Sequence, residues 1–163
     1  MNPLAPATTM PPTAFVPEVP HAQLQFKDVN IDAGQILPGD GYASYVKPFR
    51  TVEDIHVNAA ILAYLVREAR RLGWPRAWIE RAVAVLLAHE RLAGEDPGAS
   101  ETHVALAGAL AIVAGLIGET EPLWDVAGAD PAAQRWKRDR ELLKVAGGIR
   151  AQRVASAWAR LEG

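Results

Sequence analysis

The chain has 163 residues, half of them hydrophobic, with 17 basic against 19 acidic side chains and no cysteine. That length and apolar content suit one domain with a real core and leave little room for a second. The near-neutral balance gives no global attraction to nucleic acid or to an anionic membrane, so neither is expected as a partner. Disulfide and thiolate chemistry are excluded, and prolines interrupt every run near the start that would serve as a signal peptide's apolar region, so a cytoplasmic location is expected.

Half of the 12 prolines, Pro3, Pro6, Pro11, Pro12, Pro17 and Pro20, fall within residues 1–20, where each removes a backbone donor and blocks helix and ladder alike; a disordered tail is expected there. Leu24, Phe26 and Val29 then alternate with polar residues, the pattern of one short strand with a buried face. A lone strand exposes unpaired backbone groups, which predicts a dimer or poor solubility. Residues 32–50 read as a loop with a tight turn at Pro38-Gly39-Asp40-Gly41.

Four helices are expected to follow, packed as an antiparallel bundle over residues 51–163. The first opens at Thr51 as N-cap, with Asp54 three residues on in a variant of the capping box. Val52, Ile55, Ala59, Leu62, Val66 and Ala69 form its seam, and Gly73 ends it in the left-handed conformation. Pro75 opens the second helix, which reaches Ala93 with Ile79, Val83, Leu86 and Leu87 inward and Arg76, Glu80, Arg81 and Arg91 solvated. Ser100 or Thr102 caps the third, apolar all round from Val104 to Ile117; a run of that length favours a buried helix over a membrane span and predicts the most buried helix. Asp130-Pro131 signals a single last helix to Leu161, bent near Gly147-Gly148, with Trp136 and Trp158 as anchors and its arginines, among them Arg150, Arg153 and Arg160, on a solvated face.

The densest polar run is Tyr45 to His56. Lys47 and Arg50, beside a helix N-terminus, have the chemistry to hold a pyrophosphate, or alternatively pair with Glu53 and Asp54. Glu53-x-x-His56 has the spacing of a carboxylate-bridged metal bundle, but no second copy accompanies it, so no metal is expected. Neither a Gly-rich phosphate loop nor a Ser-His-Asp or Cys-His arrangement can be assembled.

Leu24-Gln-Phe-Lys-Asp-Val29, continued by Asn30-Ile-Asp-Ala-Gly-Gln-Ile-Leu-Pro-Gly-Asp-Gly41, resembles the junction at which the middle β-domain of acyl-CoA dehydrogenases passes through a Leu-x-Gly loop into a C-terminal helical domain. Trp136 to Arg150 resembles the last helix of a bacterial subgroup. The resemblance implies a tail at 1–20, a strand and loop at 21–50 and a helical bundle at 51–163. It implies a truncated or divergent C-terminal portion of a flavoenzyme that performs FAD-dependent α,β-oxidation of an acyl-CoA thioester. In that frame Glu53 is the candidate base for the α-proton, with Asp54 as its backup, and Lys47 and Arg50 hold the pyrophosphate or the nucleotide end of coenzyme A. The family's assembly implies a homo-oligomer or a completing chain. The alternative is a noncatalytic helical bundle for oligomerisation or partner binding.

Overall fold

Small and apolar residues recurring three and four apart over long proline-free runs favour helix, and the protein is mainly helical. The computed structural model describes residues 7–144 and 147–163. A hairpin of β1 (Ala7–Thr9) and β2 (Ala22–Leu24) is followed by α1 (Lys47–Leu72), α2 (Arg76–Ala93), α3 (Ser100–Glu119), α4 (Glu121–Ala127), α5 (Pro131–Asp139) and α6 (Gly147–Glu162).

The strand expected alone at residues 24–29 lies instead at Ala22–Leu24 and finds its partner within the segment expected to be disordered. Ala7 pairs with Leu24, Thr8 with Gln23 and Thr9 with Ala22, antiparallel. Between Pro6 and Pro11 the chain keeps its backbone donors and carries two β-branched threonines, which suits a strand. The alternation does not mark a buried face: Leu24, Phe26 and Val29 are 56%, 69% and 43% exposed, because no second layer covers the hairpin. Pairing inside the chain also removes the unpaired strand as a reason for dimerisation. The segment that connects the two strands is tied to α5, with Val16 N donating to Asp139 Oδ1 at 2.8 Å and Arg138 pairing with Glu18 at 2.8 Å. The expected tail's residues 1–6 lie outside the described residues.

The segment expected to be a loop already turns helical before the expected cap: a π-helical turn at Tyr42–Val46 runs without a break into α1 at Lys47, with Pro48 in the first turn of α1. Thr51 and Asp54 are therefore not a capping pair but interior residues, buried to 1% and 8% exposure. The seam is as expected at Ile55, Leu62 and Ala69, while Val52 faces solvent. Gly73 ends the helix at φ 70° and ψ 34° as foreseen, in the region where a side chain is strained.

Helix α2 has its expected bounds with its face turned by one residue. Trp78, Ala82, Val85, His89 and Leu92 are buried, whereas Val83 and Leu87 are exposed. The indole of Trp78 sets this phase: burying so large a ring rewards its face, and its Nε1 donates to the Leu116 carbonyl at 3.0 Å near the end of α3. Neither Ser100 nor Thr102 caps α3; Ala99 stands at the N-cap with no side-chain hydrogen bond. Nor is α3 enclosed. Leu106, Ala109, Val113 and Leu116 are buried, but Gly108, Ile112 and Gly115 face outward.

The single last helix is broken. Asp130 caps α5 as expected, its side chain accepting from Ala132 N at 2.8 Å. Arg71 grips the same carboxylate at 2.8 and 2.9 Å, and that pairing first, with the Ala132 amide, holds its carboxyl at about 2. α5 then tightens into a 3-10 turn at Arg140–Lys144, and α6 starts afresh at Gly147. Trp158 is 48% exposed and anchors nothing, while Trp136 is buried.

Two apolar clusters sit at opposite ends of the helices. The larger gathers Leu62, Leu65 and Ala69 with Trp74, Trp78, Trp124 and Trp136. Trp74 meets Trp78 and Trp124 edge-on at 5.3 and 4.9 Å, and Trp124 stacks on Trp136 at 5.7 Å. The smaller joins Ile55, Leu92, Leu106 and Ala109, so the start of α1 lies against the end of α2 and the start of α3. The site described next is at this second end.

Candidate functional site

The first turns of α1, the loop before α3 and one face of α6 enclose a cleft of about 430 Å³. Lys47 and Arg50 project from α1 at i, i+3 spacing, which puts them on one face. Arg153 and Arg160 come from α6, His103 from α3, and among the described residues no carboxylate lines the cleft.

Beneath it, Asp54 holds α6 to α1. Arg150 donates to Oδ1 through Nε at 2.9 Å and through a terminal nitrogen at 2.6 Å, and Arg153 donates to Oδ2 at 2.6 Å. Only 12% of the Asp54 side chain is exposed, against 27% for Arg150 and 13% for Arg153. Both carboxylate oxygens are occupied, and Asp54 leaves one of the two arginine charges uncompensated. Thr51 Oγ1 adds a longer contact to Arg153 at 3.4 Å and lies 3.3 Å from His103 Nε2.

His103 Nε2 also lies 2.8 Å from the Pro97 carbonyl. A carbonyl only accepts, so Nε2 carries the proton and Nδ1, buried and without a hydrogen-bond partner among the described residues, is the bare nitrogen. Burial pushes this imidazole below its usual range; the Pro97 hydrogen bond opposes that, and the charges of Arg153, Arg160 and Lys47 add to it. Arg160 Nε donates to Ser100 Oγ at 3.0 Å, which holds a cation at the uncapped N-terminus of α3.

Of the residues singled out from sequence, Lys47 and Arg50 are brought together in the cleft and have no ion pair among the described residues; they do not pair with Glu53 or Asp54. Glu53 is exposed and outside the cleft. Asp54 is committed to the two arginines. Among the described residues no group of three or more His, Asp or Glu side chains is placed to hold a metal.

Sequence reasoning missed Arg150, Arg153 and Arg160, which were assigned to a solvated face. The signal was Asp54, one residue before Ile55 on the buried side of α1. A carboxylate on an apolar seam requires a buried cation, and the last helix carries the candidates. No family model, no curated protein and no solved structure matches the chain.

Proposed function

We propose that the chain is a noncatalytic helical bundle, with α1, α2, α3 and α6 as its four antiparallel helices, that binds an anionic ligand in the cleft. One observation carries this reading. Among the described residues Lys47, Arg50, Arg160 and one of the two arginines around Asp54 lack a compensating charge, yet the cleft they share has no acid in its wall. Like charges held together are unfavourable until an anion joins them. Titration calorimetry at low salt with sulfate, citrate and pyrophosphate tests it. Saturable binding of at least one anion is expected, weakened roughly tenfold or more by Lys47→Gln with Arg50→Gln, the scale of lost charge-assisted hydrogen bonds. Absence of saturable binding for all three sinks the reading. Cytoplasmic action goes with it, on composition.

The acyl-CoA dehydrogenase-like reading is the second, favoured by the meeting of Lys47 and Arg50 in one cleft. In it the cleft holds the pyrophosphate of FAD or of an acyl-CoA, FAD accepts the hydride, and Glu53 takes the α-proton. The cationic wall fits a pyrophosphate. The position of Glu53 outside the cleft and the full engagement of Asp54 weigh against a base there. The visible spectrum after incubation with FAD and removal of excess separates the two readings, since retained oxidised-flavin bands favour the enzyme.

Self-association is part of the first reading. On α2 and α3, Val83, Leu87 and Ile112 are 41%, 60% and 54% exposed, and no charged side chain interrupts α3 between Glu101 and Glu119. Exposed apolar side chains on neighbouring helices favour a homo-oligomer.

A further inference from the structure

The cleft contains a conflict that narrows its ligand. Arg160 is tethered through Ser100 Oγ to the first turn of α3, where unpaired amides and the helix dipole already concentrate positive character. Ala99 supplies no side-chain cap, and the Gly98 amide is taken by Asp96 Oδ1 at 2.8 Å. Glu101, the acid of that turn, is exposed and outside the wall. Burial first, and then the charges of Arg153, Arg160 and Lys47, hold the His103 imidazole below its usual range. A cation on the positive end of a helix, beside Lys47 and Arg50, favours a strongly charged anion between them. A single carboxylate neutralises too little of this charge. A phosphate monoester carries close to two charges and several acceptor oxygens, which matches the guanidinium forks of the cleft wall.

Size and wall chemistry limit the rest of the ligand. A cleft of about 430 Å³ exceeds a bare phosphate and falls within the range of small-molecule sites. Apolar surface from Tyr42, Pro48 and Ile149 adjoins the cations.

Resting on the anion-binding reading, we infer that the cleft takes a phosphorylated small organic molecule, with its phosphate among Lys47, Arg50 and Arg160 and its organic portion against Tyr42, Pro48 and Ile149.

The test is calorimetry on the full chain at low, matched ionic strength with phenyl phosphate, inorganic phosphate and citrate, followed by His103 ring resonances in the same titrations. Phenyl phosphate is expected to bind saturably at one site and more tightly than inorganic phosphate. Arg50→Gln with Arg160→Gln, verified as folded by circular dichroism, should lose roughly tenfold or more of that affinity, the scale of removed charge-assisted hydrogen bonds. The His103 titration should move upward on binding, because the ligand offsets the cations that add to the lowering by burial. Equal affinity for phenyl and inorganic phosphate overturns the organic half of the assignment. Tighter binding of citrate overturns the phosphate half and leaves the anion-binding reading standing. No saturable binding by any of the three overturns both.

Discussion

Arg153 donates to Asp54 Oδ2 at 2.6 Å across 99 residues of sequence. With Arg150 on Oδ1, this makes one carboxylate the fastening between the last helix and the first. It also sets how far Arg153 reaches into the cleft, so the fold and the candidate site share a single acid.

Replacing Asp54 with Ala leaves two largely buried guanidinium groups without a counter-charge. The loss is expected to be about 3 kcal/mol, the range for breaking a buried pair from one side, and it should exceed the loss from Arg150→Ala, which leaves Arg153 paired. Urea unfolding of the three proteins measures both. Equal stability of Asp54→Ala and the parent chain would mean that the ion pairs are solvated after all.

The contrast between Asp54 and Glu53 shows what the sequence disclosed. The end of α1 at Gly73, the span of α2 and the start of α5 at Asp130-Pro131 followed from local signals whose geometry the residues themselves dictate; the single last helix read from them did not. The phase of α2 and the depth of Asp54 were not local. One depends on where the indole of Trp78 finds the Leu116 carbonyl, the other on arginines far along the chain. Pro48 misled for a physical reason: the ring that breaks a helix interior is harmless in a first turn, so a loop was read where α1 begins. Lys47 and Arg50 were recognisable because their i, i+3 spacing needs no tertiary information. Their companions Arg153 and Arg160 became visible only once α6 was laid against α1 and α3.

Trp78→Phe tests the indole's polar contact separately from its bulk. Phenylalanine keeps most of the buried ring but deprives the Leu116 carbonyl of its donor. A loss of about 1–3 kcal/mol in chemical denaturation is expected for an unsatisfied buried acceptor plus the smaller ring. A change within error would place water at that carbonyl.

His103 gives the protein a defined acid sensitivity. Its folded pKa lies below the unfolded value of 6.5, so the unfolded chain binds the proton more readily. Stability from this residue is complete at pH values above the unfolded pKa. It falls as the pH drops through the interval between the two pKa values. Urea midpoints measured from about pH 7 down to about pH 5 should decline, and less steeply in His103→Gln, whose amide keeps a donor for the Pro97 carbonyl. Identical slopes in the two proteins would remove His103 as the cause.

The outward face of α3 bears on self-association. Ile112 projects at 54% exposure beside Gly108 and Gly115, and a twofold contact needs both a knob and a hollow on the same surface, which this face supplies. Light scattering after gel filtration is expected to give a mass that rises with concentration toward a dimer. Ile112→Glu should hold the protein at monomer mass, because a carboxylate buried there has no partner. Calorimetry on that variant should show unchanged anion affinity, since Ile112 is outside the cleft. A parent chain of monomer mass at every concentration would leave α3 with an apolar face turned to solvent and no copy of itself to cover it.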